Sequence, residues 1–385
     1  MAAQGVDPDR NVLHACLSEF LRSLVDTLAV GAHGIVAAGN EEHGKALVHG
    51  CQVLLLLNEI NALHHVPQQT CAGGKAAEGV GNVFVEDVLD APYFHVVFTV
   101  PQELNPLIYS NQQLLYDALY HCVSATINEL TADTKHLGAK VGYICVLHTW
   151  GSEMNYHPHI HIILLGGGLT AKNQWRDKGE EFFLPVKVMS KLFRGKYMAE
   201  LKTLWEEEKL QFHGSSEKYR NHYAFKELLN ICYEKDWIPH CKKTFNGAQS
   251  VINYLGKYTH RIAISNHRII RMDEDTVTFY VKDYREEGRW KEHTVSGIEF
   301  IRRFLMHVPP KRFVRIRHYG LLCTRTKTRQ LTLCRNLLGC KQYLSKLKGM
   351  ETPQILETLY GIKVTVCKCC GGHLGKPQQR IPLRI

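Results

Sequence analysis

Two periodicities alternate along the first half of the readable chain. Residues 91–100, APYFHVVFTV, are aromatic and β-branched and stop at Pro101, which predicts a strand. Residues 111–130, NQQLLYDALYHCVSATINEL, space their apolar positions as a helix does, with Asn111 as its N-cap. VGYICVLHTW (141–150) predicts a second strand, GSEMNYHP a turn, and HIHIILL (159–165) a third strand. A basic amphipathic helix is expected over about 187–210, and a further strand over WIPHCK (237–242). GAQSVINYLGKYTHR (247–261) reads as a helix behind an Asn246–Gly247 turn, and strand-like pieces follow through RIIRMDEDTVTFYVKDY. The 151–157 link is too short for a parallel crossover, so the second and third strands must form an antiparallel hairpin. The expected class is α+β, with a mainly antiparallel sheet flanked by helices.

Side chains two apart on a strand share a face, so His159 and His161 point the same way and Ile160 points the other. A hairpin centred between residues 153 and 154 sets His148 opposite His159, with Cβ atoms about 5 Å apart. Three neutral imidazoles with coordination positions left over make a candidate divalent-metal site. Two other readings fit the same letters. The histidines can be half-buried strand residues. Alternatively, His157, His159 and His161 can serve a histidine-triad nucleotide hydrolase, in which a histidine is the nucleophile and no metal is needed.

Tyr254 and Tyr258 bear on that choice. Spaced four apart, they share one helix face. A phenol oxygen can attack a phosphodiester when a metal polarises the phosphate. The spacing alone is equally that of core or interface packing. Lys257, His260 and Arg261 beside the tyrosines suit a DNA backbone.

Charge sharpens the picture. The chain carries a net +10, yet residues 1–90 hold 4 Lys/Arg against 11 Asp/Glu. Residues 300–350 hold 13 Lys/Arg and no acidic residue. Such a block repels itself unless a polyanion or a partner offsets it, and nucleic acid is the leading candidate. Within it, Arg302, Arg303, Lys311, Arg312, Arg315 and Arg317 are interleaved with Phe304, Phe313 and Tyr319, cations for phosphates and aromatics for unstacked bases. A basic surface with core aromatics between is the plainer reading of the same pattern.

The pair His159–Ile160–His161 followed by a Tyr-x3-Tyr segment resembles the HUH endonucleases. More closely, the chain resembles the two-tyrosine rolling-circle transposases of bacterial insertion sequences, the IS-ninety-one type. The likeness runs in order through PYFHVVFTVPQELNPLIY (92–109), VLHTWG (146–151), YHPHIHIILLGGGL (156–169), FFLPVKVMSKLFRGKY (182–197), YLGKYTHRIAISNHRI (254–269) and FIRRFLMHVPPKRFVRIRHYGLL (300–322), within about residues 90 to 372. It implies an HUH-like fold in which His159 and His161 ligate Mg2+ or Mn2+. His148 is the third-ligand candidate on geometry more than on the family. Tyr254 and Tyr258 would be the nucleophiles, one keeping a 5′-phosphotyrosine while a free 3′-OH is released. The implied partners are single-stranded DNA and element ends, without a nucleotide cofactor. Relaxases and rolling-circle replication initiators share this chemistry, and a decayed, non-catalytic DNA-binding transposase is a further alternative.

The expected organisation is an atypical region over 1–90, an HUH catalytic domain over 91–272, and a basic DNA-binding region over 273–385 ending in a cysteine cluster. Cys367 and Cys370 form a Cys-x2-Cys pair, half of a zinc knuckle and a candidate Zn2+ site. The family's usual N-terminal zinc ribbon is not evident in 1–90, where Cys16, Cys51 and Cys71 lack paired spacing. Family-like sequence begins abruptly near Asp87. The expectation is an upstream reading-frame shift, the alternative a divergent N-terminal domain. No apolar run reaches the roughly 18 residues of a membrane span. Thirteen cysteines without a disulfide-scaffold pattern suit a reducing compartment. A bacterial cytoplasmic, nucleoid-associated protein is expected.

Overall fold

A computed structural model describes residues 87–179, 184–237, 239–245, 263–265, 268–273, 275–283, 286, 288–340 and scattered positions from 349 to 372. In chain order, the elements are β1 (Tyr93–Thr99), α1 (Asn105–Ser110), α2 (Gln112–Ala132), β2 (Lys140–Trp150), β3 (Tyr156–Leu169) and β4 (Trp175–Asp177). There follow α3 (Val186–Glu206), α4 (His222–Glu234), β5 (His240–Phe245), β6 (Ile269–Met272), β7 (Thr276–Asp283) and β8 (Arg289–Ser296). The last are α5 (Gly297–Leu305), β9 (Ile316–Gly320) and α6 (Lys327–Leu338). They divide into two compact units: Ile264–Leu305, and the segments on either side of it.

The larger unit is built on an antiparallel sheet in the order β5-β1-β3-β2-β9, with β4 added to the end of β3. Strand alternation gives it two unlike faces. On one, Val96, Phe98, Tyr143, Cys145, Leu147, Ile160 and Ile162 meet the buried stripes of α2 (Leu115, Leu119, Val123, Ile127) and α3 (Met189, Phe193, Tyr197, Leu201). Those stripes recur every three or four residues, so each helix turns one apolar side to the sheet. Each fully buried Leu, Ile or Phe contributes about 1.5–3 kcal/mol of transfer free energy. On the other face, Tyr93, Ile144, Val146, Ile163 and Leu165 pack with Val88, Leu89, Leu321, Leu322 and, from α6, Leu331 and Cys334. Among the described residues, that second core covers one end of its face. His95, His148, His159 and His161 stand toward the other end.

The α+β, mainly antiparallel architecture is the one the periodicities predict. Its elements differ in detail. β3 runs from Tyr156 rather than His159, because the turn is confined to 151–155 and Tyr156 already pairs with Trp150. Pro158 is tolerated at the register shift between that pair and His148↔His159, where the ladder is already broken. β5 begins at His240, directly after Pro239. Asn111 precedes α2, but its side chain makes no cap. It instead holds Gln211 from both sides, donating from Nδ2 to the carbonyl (2.7 Å) and accepting the Gln211 N–H (2.7 Å). Residues 316–320, grouped by sequence with the basic C-terminal region, form a strand of this sheet. The expected helix over 247–261 and residues 1–86 lie outside the described residues.

The glycine triplet 166–168 sits inside β3 as a close-packing device. A Cβ on Gly168 would lie 2.2 Å from the Lys140 carbonyl oxygen, and one on Gly167 2.4 Å from the Trp175 ring. Gly320 closes β9 at φ +61°, where a Cβ would stand 1.8 Å from the Val141 carbonyl oxygen. Both the backbone conformation and the space demand glycine there. Gly320→Ala is therefore expected to destabilise the larger unit by about 3 kcal/mol, read by chemical denaturation. A change below half that value would show that β9 can withdraw from β2 at little expense.

The smaller unit is the antiparallel sheet β6-β7-β8 with α5 following β8 directly. Val277, Phe279 and Val281 are buried, and the Phe279 ring meets Phe300 of α5 edge-on at 5.6 Å. Among the described residues no helix is long and apolar enough to cross a membrane.

Candidate metal centre

The β2–β3 register sets His148 directly opposite His159, and the β1–β3 register sets Thr99 opposite His159 and Val97 opposite His161. Opposed residues share a face, so the hairpin count and the period of two together bring His148, His159 and His161 onto one surface. One ring nitrogen from each lies within 4.8 Å of the others. His148 is buried against Trp150, whose ring stacks on it at 4.5 Å and 20°. His159 and His161 keep partial exposure.

The hydrogen bonds decide which nitrogens face inward. His159 Nδ1 donates to the His157 carbonyl oxygen at 2.6 Å, so its Nε2 carries the lone pair. That Nε2 lies 3.0 Å from His161 Nε2. Two nitrogens each about 2.1 Å from one cation, at a right angle, stand about 3.0 Å apart, so the observed separation fits an edge of a coordination shell. Burial above all holds His159 down at about 4 and His161 well below the ordinary histidine value, with neighbouring imidazoles adding to the effect. Both rings are therefore neutral at pH 7, as a metal ligand must be. Three such donors, with no carboxylate among them, can hold a divalent cation and leave positions open for a phosphate or water. His157 takes part through its backbone carbonyl, and its ring is not part of the converging trio.

Two neighbours of the trio escaped sequence reasoning. His95, on β1, places Nε2 2.8 Å from His161 Nδ1 with the two rings stacked at 8°. Burial, and to a lesser degree His240, lowers it to about 4. His307 is buried behind the hairpin turn, hydrogen-bonded to Thr149 Oγ1 (3.2 Å) and to the carbonyl oxygen of Met154 (3.0 Å), a residue at φ 57°. It fastens the turn that fixes the His148–His159 register. Only the distant strand pairing could have disclosed the first, and only the tertiary position of 306–315 the second.

Burial lowers the His307 imidazole to about 4. The unfolded chain, at the ordinary 6.5, takes up its proton first as pH falls. The stability this neutral ring contributes is full above about 6.5 and is lost between there and about 4, to a total of roughly 3 kcal/mol. His307→Gln is expected to be less stable than the unaltered protein at pH 7, with the gap narrowing as denaturation is repeated toward pH 4. Parallel stability curves would rule this ring out as a source of acid sensitivity.

The other sequence candidates are dispersed. Arg302 and Arg303, in the smaller unit, both bond to Glu299 on α5. Lys311 and Arg312 are exposed on the link before β9. Arg317 bonds to Asp117 of α2, and its guanidinium lies 4.0 Å over the Tyr120 ring. Burial lowers the neighbouring Arg315 guanidinium, and the Arg315 carbonyl accepts from Leu147 N–H. Tyr254, Tyr258, Lys257, Arg261, Cys367 and Cys370 lie outside the described residues.

Comparison with known proteins bears on this geometry. The family Y2_Tnp, described as "Putative transposase", matches residues 142–330. "Putative transposase y4qJ" of Sinorhizobium fredii (strain NBRC 101917 / NGR234) is 42% identical over 254 residues, 66% of this chain and 64% of that protein. The match thus spans just under two thirds of that relative's length. "Transposase for insertion sequence element IS801" of Pseudomonas savastanoi pv. phaseolicola is 27% identical over 344 residues, 81% of this chain and 71% of that protein. Among solved structures, the metal-bound conjugative relaxase TrwC in complex with oriT DNA is 15% identical, covering 43% of this chain and 70% of that one, with a TM-score of 0.24. A further structure of that relaxase–DNA complex covers 51% and 83%, again at 15% identity and a TM-score of 0.24. Residues 142–330, which carry the three-histidine hairpin, thus match the Y2_Tnp family model, and the chain is similar over most of its length to two transposases.

Proposed function

We propose that this protein is a metal-dependent, single-strand DNA-nicking and strand-joining transposase of the rolling-circle type. The observation that carries the reading is the convergence of His148, His159 and His161 on one sheet face, in a chain that matches a transposase family model. Those imidazoles hold a divalent cation, Mg2+ or Mn2+. When bound, the cation polarises the scissile phosphate and offsets its developing charge. Tyr254 and Tyr258 are the nucleophiles. A tyrosine oxygen bonds to phosphorus and gives up its proton, the bond from phosphorus to the 3′-oxygen breaks, and that oxygen leaves as a free 3′-OH. The DNA stays attached as a 5′-phosphotyrosine, whose bond energy is retained for joining, so no nucleotide cofactor is required. A second tyrosine permits a second cleavage before the first attachment is resolved.

DNA, single-stranded and at element ends, is the proposed partner. Lys257, Arg261, Arg302, Arg303, Lys311, Arg312, Arg315 and Arg317 are the phosphate-contact candidates. Exposure favours Lys311 and Arg312, whereas Arg317 is already offset by Asp117. Catalytic residues over 91–272, a basic DNA-binding region over 273–385, a terminal zinc site at Cys367 and Cys370, and a nucleoid-associated location complete the proposal.

Incubation of the full chain with end-labelled single-stranded DNA of the element termini and Mn2+ tests it. A denaturant-resistant protein–DNA adduct that EDTA abolishes is expected. DNA binding without any adduct, on substrates carrying both ends, would instead support a decayed transposase that only binds.

A further inference from the structure

We propose that His95 is a positioning residue for the ligand His161: its ring hydrogen bond sets which His161 nitrogen is offered to the cation. This rests on the metal reading above and adds a residue outside the trio. His95 lies opposite Ile163 on β3, so it is the diagonal neighbour of His161 on the same face. Its Nε2 is 2.8 Å from His161 Nδ1, and the near-parallel rings, 5.1 Å between centroids, keep that contact in line. His240, opposite Val97 on β5, meets the His95 ring edge-on at 6.1 Å and supports it from the far side.

The need for such a residue follows from proton counting. A neutral imidazole carries one N–H. The tautomer of His159 is fixed by a carbonyl, which only accepts. His161 Nδ1 faces another imidazole, which can either donate or accept. Without a cation, two bare Nε2 lone pairs 3.0 Å apart would repel, so His161 keeps its proton on Nε2, directed at His159. His95 then donates from Nε2 to His161 Nδ1. A cation at the trio requires the opposite arrangement: the His161 proton on Nδ1, donated to His95 Nε2, and the His95 proton on its own Nδ1. Each ring carries one proton in both states, so net charge is unchanged. What His95 supplies is an acceptor that appears when the cation does. Partners of this kind typically alter metal affinity by about 10–100-fold.

The test is Mn2+ titration of the full chain by calorimetry, comparing the unaltered protein with His159→Ala, His95→Phe and His95→Gln. Phe keeps the stacked ring and loses the acceptor, whereas Gln restores an acceptor oxygen near the place of Nε2. His95→Phe is expected to weaken Mn2+ binding about 10–100-fold, and His95→Gln to stay within about threefold of the unaltered protein. Melting in EDTA checks that both variants fold. Equal Mn2+ binding by the unaltered protein and His159→Ala would overturn the metal site itself. Loss of binding in His159→Ala together with full binding in His95→Phe would overturn only the role of His95, as would a His95→Gln variant as weak as His95→Phe.

A second measurement needs no variant at position 95. Ring-15N spectra of the Zn2+-loaded protein should show a hydrogen-bonded Nδ1–H signal that disappears in His161→Gln. A loaded His161 protonated on Nε2 would refute the proposal.

Discussion

His159→Ala and His161→Ala are each expected to abolish nicking while leaving DNA binding within about threefold of the unaltered protein. The two effects separate because different parts of the chain supply them. A cation that polarises a phosphate is worth several kcal/mol in the transition state, and each 1.4 kcal/mol is tenfold in rate, so its loss lowers nicking by roughly a thousandfold or more. Affinity for DNA comes mainly from Lys and Arg contacts to phosphates, which these substitutions leave in place. Both rings are on a strand that also carries Ile160 and Ile162 into the main core, so truncating the histidines on the opposite face should leave the sheet intact. His148→Ala should be nearly as damaging to nicking, at a greater expense in stability, because His148 is buried against Trp150. The measurements are single-turnover cleavage of labelled single strands with Mn2+, and filter binding of the same strands in EDTA. Cleavage persisting in His159→Ala would remove the trio from the chemistry. Cleavage persisting only in His148→Ala would move the third ligand elsewhere.

That trio was legible because it is local. A hairpin with a short turn fixes its own register, and a period of two then fixes which side chains share a face. His148, His159 and His161 lie within fourteen residues, so counting outward from the turn reproduces the pairing that the fold displays. His95 was not legible on the same terms. Its partner lies 66 positions away, and nothing in YFHVVFT discloses that β1 will lie beside β3 rather than β2. The same limit applies to charge. Composition groups Arg317 with the other cations of the 300–350 block, but the acid that engages it sits 200 positions earlier on α2. Asn111 shows the converse: a residue type favoured at helix starts is spent on Gln211, a hundred positions away, because two backbone hydrogen bonds there outweigh one cap. The glycines at 167 and 168 are accounted for by the close approach of Trp175 and Lys140, partners that the sequence does not place beside them.

The tyrosine pair carries the other large effect. On the helix expected from the sequence over 247–261, residues four apart would stand one turn above another, so two phenol oxygens there would reach one phosphate region or two adjacent ones. A phenol ionises near 10, so the attacking oxygen depends on nearby positive charge to favour its phenolate form, and Lys257 is one residue from Tyr258. Tyr254→Phe and Tyr258→Phe each remove one hydroxyl and keep the ring, so both variants are expected to fold and to bind DNA as the unaltered protein does. At least one single variant should still nick and form the covalent adduct while failing to complete strand transfer, since the remaining tyrosine can attack once but not twice. The double variant should form no adduct, a loss of roughly a thousandfold or more in adduct yield. Proteolysis of the adduct followed by peptide mapping should place the DNA on Tyr254 or Tyr258. An adduct that persists in the double variant, or one that maps to another tyrosine such as Tyr280, exposed in the smaller unit, would overturn the nucleophile assignment and leave the three-histidine face without its proposed partner.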